Sequence, residues 1–170
     1  MTDTEPLVVV GATTDHVTTL RLNRPPNNFF SVGLIQAIAG GLEALDDDDD
    51  TRVIVLAAAG KHFCAGADFA GSGLSSGSGE DTTADLYRAA ARLFRTRKPI
   101  VAAINGIAAG AGSVLALASD IRVMSETAKF AFLFTKVGLT GADMGAAWLL
   151  PRVVGTGRAM ELLMLGDKVD

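Results

Sequence analysis

Two apolar runs in this chain each end in a segment of glycine and alanine, and that pairing constrains the fold more than any other feature. Residues 52–58 carry β-branched Val53, Ile54 and Val55 in a stretch that stays apolar to its end, as a strand buried on both faces does. They feed into the small-residue loop 60–68. After Pro99, residues 100–104 make a second short buried strand and deliver the chain into NGIAAGAG at 105–112. Helical spacing follows at Val114, Leu115 and Leu117. Two strand-loop-helix units, with Gly66 and Gly110 in equivalent places, predict an α/β domain that hosts its ligand at the strand-to-helix turns.

The remaining elements fit around these units. Residues 8–10 and 16–22 read as a hairpin joined by 11–15, stopped at Pro25 and Pro26, which lack backbone donors. Ser31 caps a helix carrying Leu34, Ile35, Ile38, Leu42 and Leu45, weakened by Gly40 and Gly41. The five aspartates at 46–50 lack the alternation and glycine of a calcium loop and read as a solvated turn. GSGLSSGSGED at 71–81 reads as a mobile loop within a single domain spanning 1–170. A helix opens at Thr82 or Thr83, with Leu86, Ala90, Leu93 and Phe94 on one face. Strands are expected at 121–124 and 129–132, and helices at 142–150 and 156–165.

Composition narrows the function. At 170 residues and 49% hydrophobic, the chain can bury a real core. A formal charge of -4 gives no footprint for nucleic acid. No apolar run reaches the roughly 20 residues needed to span a bilayer, and the N-terminus does not read as a signal peptide. One cysteine, Cys64, excludes an internal disulfide, and with His16 and His62 it cannot assemble an ordinary zinc cluster. The expectation is a cytoplasmic protein without metal.

Small residues at 65–67 and 110–112 let a ligand approach unpaired main-chain N–H groups at the loop ends. Two such ends converging would stabilise a developing oxyanion; close helix-sheet packing explains the same glycines. The order of motifs adds to this. HFCAGADF at 62–69 and NGIAAGAGSVLALASD at 105–120 resemble the two oxyanion segments of the enoyl-CoA hydratase/isomerase (crotonase) superfamily. The likeness extends through LNRPPNNFF at 22–30 and from 137 to 167.

The resemblance implies a crotonase-like (ClpP/crotonase) fold of repeated ββα units, here without the C-terminal helical region, and therefore a C-terminally truncated core. It implies an acyl-CoA or enoyl-CoA thioester as substrate. Coenzyme A would arrive as part of that substrate, with no permanently bound cofactor, and the assembly would be a homotrimer or a dimer of trimers. The oxyanion donors would be the N–H groups of Ala67 and Ala111, beside Gly66 and Gly110. The backbone at Ala65, Ala67 and Asp68 would contact coenzyme A, with Arg24 and Lys61 as phosphate candidates. On the residues' own chemistry, Asp68 either braces the following helix or does acid/base work, His62 is a general base or has a supporting or merely exposed role, and Cys64 is a nucleophile or, as its family position implies, a buried packing residue.

The resemblance also places Val114 and Phe134 where a hydratase carries glutamates, so two-glutamate water addition does not transfer. Asp143 is the carboxylate left in a suggestive place, either as the acid/base of enolate chemistry or as the N-cap of the helix at 144–150. Phe132, Phe134, Met144 and Trp148 would supply its apolar surroundings. Three readings stay open: isomerase-type proton transfer, hydration with altered residues, and a catalytically silent acyl-CoA-binding subunit.

Overall fold

A computed structural model describes residues 5–67 and 83–170; the loop expected at 71–81 lies outside them. Strands β1 (Val8–Val10), β2 (Val17–Leu22), β3 (Val53–Ala58), β4 (Ile100–Ile104) and β6 (Ile121–Met124) form one sheet in the order β1-β2-β3-β4-β6. Only the β1–β2 pair is antiparallel. The expected hairpin therefore exists, and its second strand continues into a parallel sheet. A second sheet, β5-β7-β8, joins β5 (Ile107–Ala109), β7 (Lys129–Ala131) and β8 (Lys168–Val169). The expected strand at 129–132 ends one residue early, while β5 and β8 were not expected at all. Strands of two or three residues show no alternation to read; pairing in the folded molecule creates them.

Helix α1 (Val32–Asp46) starts where its cap predicts: Ser31 Oγ accepts from the Leu34 N–H at 3.2 Å. Its buried face, with Leu34, Ile35, Ile38, Leu42 and Leu45, packs on the large sheet, each side chain contributing about 1.5–3 kcal/mol. Gly41 has a packing reason for costing helix propensity. A Cβ there would stand 2.8 Å from Leu20 Cδ1 on β2.

The acidic run 46–50 is the expected solvated turn at Asp47, Asp49 and Asp50, which are exposed, but not at Asp46, the last residue of α1. The Asp46 carboxylate accepts from the Arg97 N–H at 2.9 Å and from the Lys98 N–H at 3.2 Å. Lys98 Nζ donates to the carbonyls of Leu45 and Asp48, each at 2.6 Å. A lysine ammonium on the last carbonyls of α1 offsets the unfavourable acids beside the negative end of its dipole. Asp49 and Asp50 remain exposed.

Helix α2 (Thr83–Arg92) runs into a 3₁₀ turn, Leu93–Arg95. After β5 come α3 (Ala111–Leu117), α4 (Ala146–Val154) and α5 (Thr156–Leu165). The order β4-β5-α3 is one ββα unit of the expected kind. The helix expected at 142–150 is instead a 3₁₀ turn, Asp143–Gly145, followed by α4. The cause is Met144, whose φ of 53° interrupts the helical path. One core lies between the large sheet and α1; a second gathers Val114, Phe132, Phe134, Leu149, Leu150 and Leu162. Among the described residues no helix is long and apolar enough to cross a membrane.

Candidate active site

The two small-residue loops lie side by side, joined through main chain. Cys64 and Ala108 form a parallel bridge: the Cys64 N–H donates to Ile107 O at 3.2 Å, and the Ala109 N–H donates to Cys64 O at 2.9 Å. Ala67 and Ala111 each lie three residues beyond this pair. Beyond the bridge the segments stay close at Gly66, which packs against Ala109 O. Neither the Ala67 nor the Ala111 N–H has an acceptor among the described residues. Ala111 is the first residue of α3, where no intrahelical acceptor exists.

Glycine makes this contact sterically feasible. A Cβ on Gly112 would stand 2.2 Å from Cys64 O, and one on Gly106 would stand 2.2 Å from Lys61 O. Gly66, at φ +86°, has Ala109 O 2.9 Å from where a Cβ would lie. Close packing, one of the two explanations of these glycines, is thus present at Gly66, Gly106 and Gly112. Gly110 differs: it has φ 52°, its surroundings are open except for Phe134 Cε1 at 3.8 Å, and its N–H donates to Ala131 O at 2.8 Å.

Residues that sequence reasoning passed over hold the loops in place. Asn28 is fully buried at φ 49°; its Nδ2 donates to Ala59 O and His62 O, both at 2.7 Å, and its Oδ1 accepts from the Arg24 N–H at 2.8 Å. A second asparagine after two prolines was the only available signal. Ser113 Oγ, also buried, donates to Ala108 O at 2.7 Å. His62 Nδ1 accepts from the Ile107 N–H at 3.4 Å, and burial, then the charge of Lys61, holds its pKa below the usual value. This is the supporting role expected of it.

Cys64 is completely buried, and burial pushes its thiol up to about 11. It is a packing residue, as expected, with no thiolate available near neutrality. A disulfide reagent added to the native protein should leave Cys64 unmodified over the time that reacts the denatured chain fully. Rapid native labelling, followed by absorbance of the released thiolate, would contradict this burial.

An apolar groove borders the second loop. Phe30, Ile35, Ala90, Leu93, Ala111, Val114 and Met144 are among its lining residues. Phe30, which lines the groove, also bridges Ala67, its N–H donating to Gly66 O at 2.8 Å. Val114 and Phe134 are 4% and 5% exposed within the second core.

The other expected site residues divide. Ala65 is half-buried, and its N–H donates to Asn27 O at 3.0 Å. Arg24 Nη1 donates to Phe29 O at 3.1 Å and to Ser31 Oγ at 3.3 Å, which ties the guanidinium to the start of α1. Trp148 is 59% exposed, stands outside the groove, and carries the Arg152 guanidinium 3.8 Å from its ring centroid. Asp68 lies outside the described residues. Asp143 does not cap α4, whose N-cap is Gly145 without a side-chain hydrogen bond. Its Oδ1 instead accepts from the Met144 N–H at 2.8 Å and from the Tyr87 hydroxyl.

Comparison with known proteins agrees with this architecture. The sequence model of the enoyl-CoA hydratase/isomerase family matches residues 12–170. The chain belongs to the enoyl-CoA hydratase/isomerase family. It has the crotonase fold that the motifs implied. It is 40% identical over 159 residues to the 1,2-epoxyphenylacetyl-CoA isomerase of Escherichia coli strain K12, covering 90% of this chain and 60% of that protein. The crystal structure of an enoyl-CoA hydratase from Bacillus anthracis superposes with a TM-score of 0.85 at 32% identity, covering 96% of this chain and 64% of that one. The structure of Pseudomonas aeruginosa DspI gives a TM-score of 0.85 at 30% identity, covering 99% and 64%. The chain thus spans about three-fifths of the length of these relatives.

Proposed function

We propose that this chain is the catalytic core of an acyl-CoA enzyme that stabilises a thioester enolate, with Ala67 and Ala111 N–H groups on the thioester oxygen and Asp143 moving a proton on the acyl chain. The observation that carries the proposal is the Cys64–Ala108 bridge, which ties the two small-residue loops together three residues before each proposed donor, with Ala111 lining an apolar groove. Donors fixed in this way cost no reorganisation as charge develops on the oxygen. The groove lining named above is hydrocarbon, which suits an acyl chain. Val114 and Phe134, buried where a hydratase would carry glutamates, favour proton transfer over water addition. Among its relatives, one is named a 1,2-epoxyphenylacetyl-CoA isomerase, which suits this choice, and others are named enoyl-CoA hydratases, which suit the alternative.

In this reading Gly66 and Gly110 shape the donors' loops, Phe134 backs Gly110, and main chain at Ala65 meets coenzyme A, which comes and goes with the substrate. Asp68 belongs to the same stretch of the proposed contact. Arg24, whose guanidinium serves α1, has the weaker case for phosphate, and Trp148 contributes from outside the groove. The protein would assemble as a homotrimer or a dimer of trimers.

The test removes one donor without removing the residue's place in the helix. Proline is tolerated at the first position of a helix but has no N–H. Ala111→Pro should lower deuterium exchange into acyl-CoA and enoyl-CoA thioesters by about 10²–10³-fold, the usual loss for one oxyanion donor. Ala111→Gly, which keeps the N–H, should stay within a few-fold of the parent. A folded Ala111→Pro protein exchanging at the parental rate would sink the proposal. Thioester binding by the parent without exchange across the panel would establish a silent binding subunit instead.

A further inference from the structure

The side chain of Tyr87 is the feature that the proposed function leaves unused. It sits on α2, three residues before Ala90, which lines the groove from that side. Its hydroxyl donates to Asp143 Oδ1, next in sequence to Met144, which lines the groove from the 143–145 turn. The hydrogen bond therefore joins two walls of the groove 56 residues apart in sequence. Oδ1 also accepts from the Met144 N–H at 2.8 Å. One carboxylate oxygen thus has two donors. The turn that presents it contains a methionine at φ 53°, a conformation that packing must hold because the residue alone disfavours it.

We infer that Tyr87 is a positioning residue for Asp143: with the Met144 N–H it occupies Oδ1, fixes the carboxylate beside Met144 at the groove's edge, and leaves Oδ2 as the oxygen that takes and returns the substrate proton. This rests on the proposed role of Asp143. In the step, a C–H bond of the acyl chain breaks as the O–H bond to Oδ2 forms. The electron pair passes into the thioester carbonyl to give the enolate. The reverse transfer, to the same or a vinylogous carbon, restores the carboxylate. No external oxidant or reductant takes part.

The Tyr87 hydroxyl suits this work because it stays a donor throughout. The hydrogen bond to Asp143, then burial and the carboxylate's charge, push its pKa up to about 12. Tyrosine 87 is the one tyrosine of the 170-residue chain, and it is 42% exposed, so losing the hydroxyl leaves no buried gap.

The test is a double-mutant cycle on the protein, using Tyr87→Phe, Asp143→Asn and the pair, with deuterium exchange and thioester Kd measured separately. Tyr87→Phe should lower the exchange rate by about tenfold to hundredfold, as for the loss of a hydrogen bond to a charged group, and move Kd less than about twofold. In the Asp143→Asn background the same substitution should have no further effect, because the group it acts through is gone. The ring-carbon NMR shift of tyrosine labelled at Cζ should also move on Asp143→Asn, and the signal should be assigned by its loss in Tyr87→Phe. Additive losses, or an unchanged rate in Tyr87→Phe while Asp143→Asn is impaired, would overturn the role of Tyr87 and leave that of Asp143 standing. An unimpaired Asp143→Asn protein would remove both.

Discussion

Asp143→Asn should lower acyl-chain deuterium exchange by about 10²–10⁴-fold, the range that general acid-base catalysis contributes, while thioester binding holds. Asparagine keeps the shape of aspartate and can still accept from Tyr87 and the Met144 N–H through its carbonyl oxygen. What it cannot do is accept a proton from carbon. The structural alternative, a helix cap, predicts a different signature: lost stability with unchanged chemistry. Because Gly145 occupies the N-cap of α4, little change in Tm is expected. A variant that exchanges normally would mean that another group moves the proton. Double-bond migration and product mass, followed on the same samples, would separate isomerisation from water addition.

Gly112→Ala should be the most damaging single-methyl change among the loop glycines. The added carbon meets Cys64 O at 2.2 Å, Cys64 Cβ at 2.8 Å and Cys64 C at 2.9 Å, and main chain held in a bridge has nowhere to retreat. Overpacking a rigid site costs about 3 kcal/mol at the upper end of its usual range, which lowers Tm by roughly 6–12 °C for a domain of this size. Gly40→Ala is the natural control. It lies inside α1 with nothing within 4 Å of a Cβ, and should stabilise by about 0.5–1 kcal/mol through helix propensity. Thermal unfolding of both variants decides the matter: equal Tm values would mean that the two loops are not in the close contact described.

What the sequence made legible follows from how locally each feature is specified. The β-branched run at 53–55 announces β3 because a buried strand needs only its own side chains to declare itself, and Ser31 with its helical apolar spacing does the same for α1. The two glycine loops were visible through their repetition. The second sheet was not, since Ile107–Ala109 becomes a strand only by pairing with β7. The kink at Met144 was equally hidden; nothing in ADMGAA distinguishes a continuous helix from a 3₁₀ turn at positive φ. Asn28 and Tyr87 escaped for a common reason. Each joins segments more than thirty residues apart, and a single sequence carries no mark of such a meeting. The engagement of Asp46 was hidden because Arg97 and Lys98, whose N–H groups it accepts from, lie some fifty residues away.

The bridge between Cys64 and Ala108 has one more consequence, for the history of such a chain rather than its chemistry. The bridge is made of peptide groups, so it specifies no side chain except by demanding smallness at a few positions. Of the residues facing the groove, Ala90 and Met144 are only partly buried, so a change at either leaves the bridge and the large core in place. Substitution can therefore act on the groove wall while the seam keeps the course of the two loops.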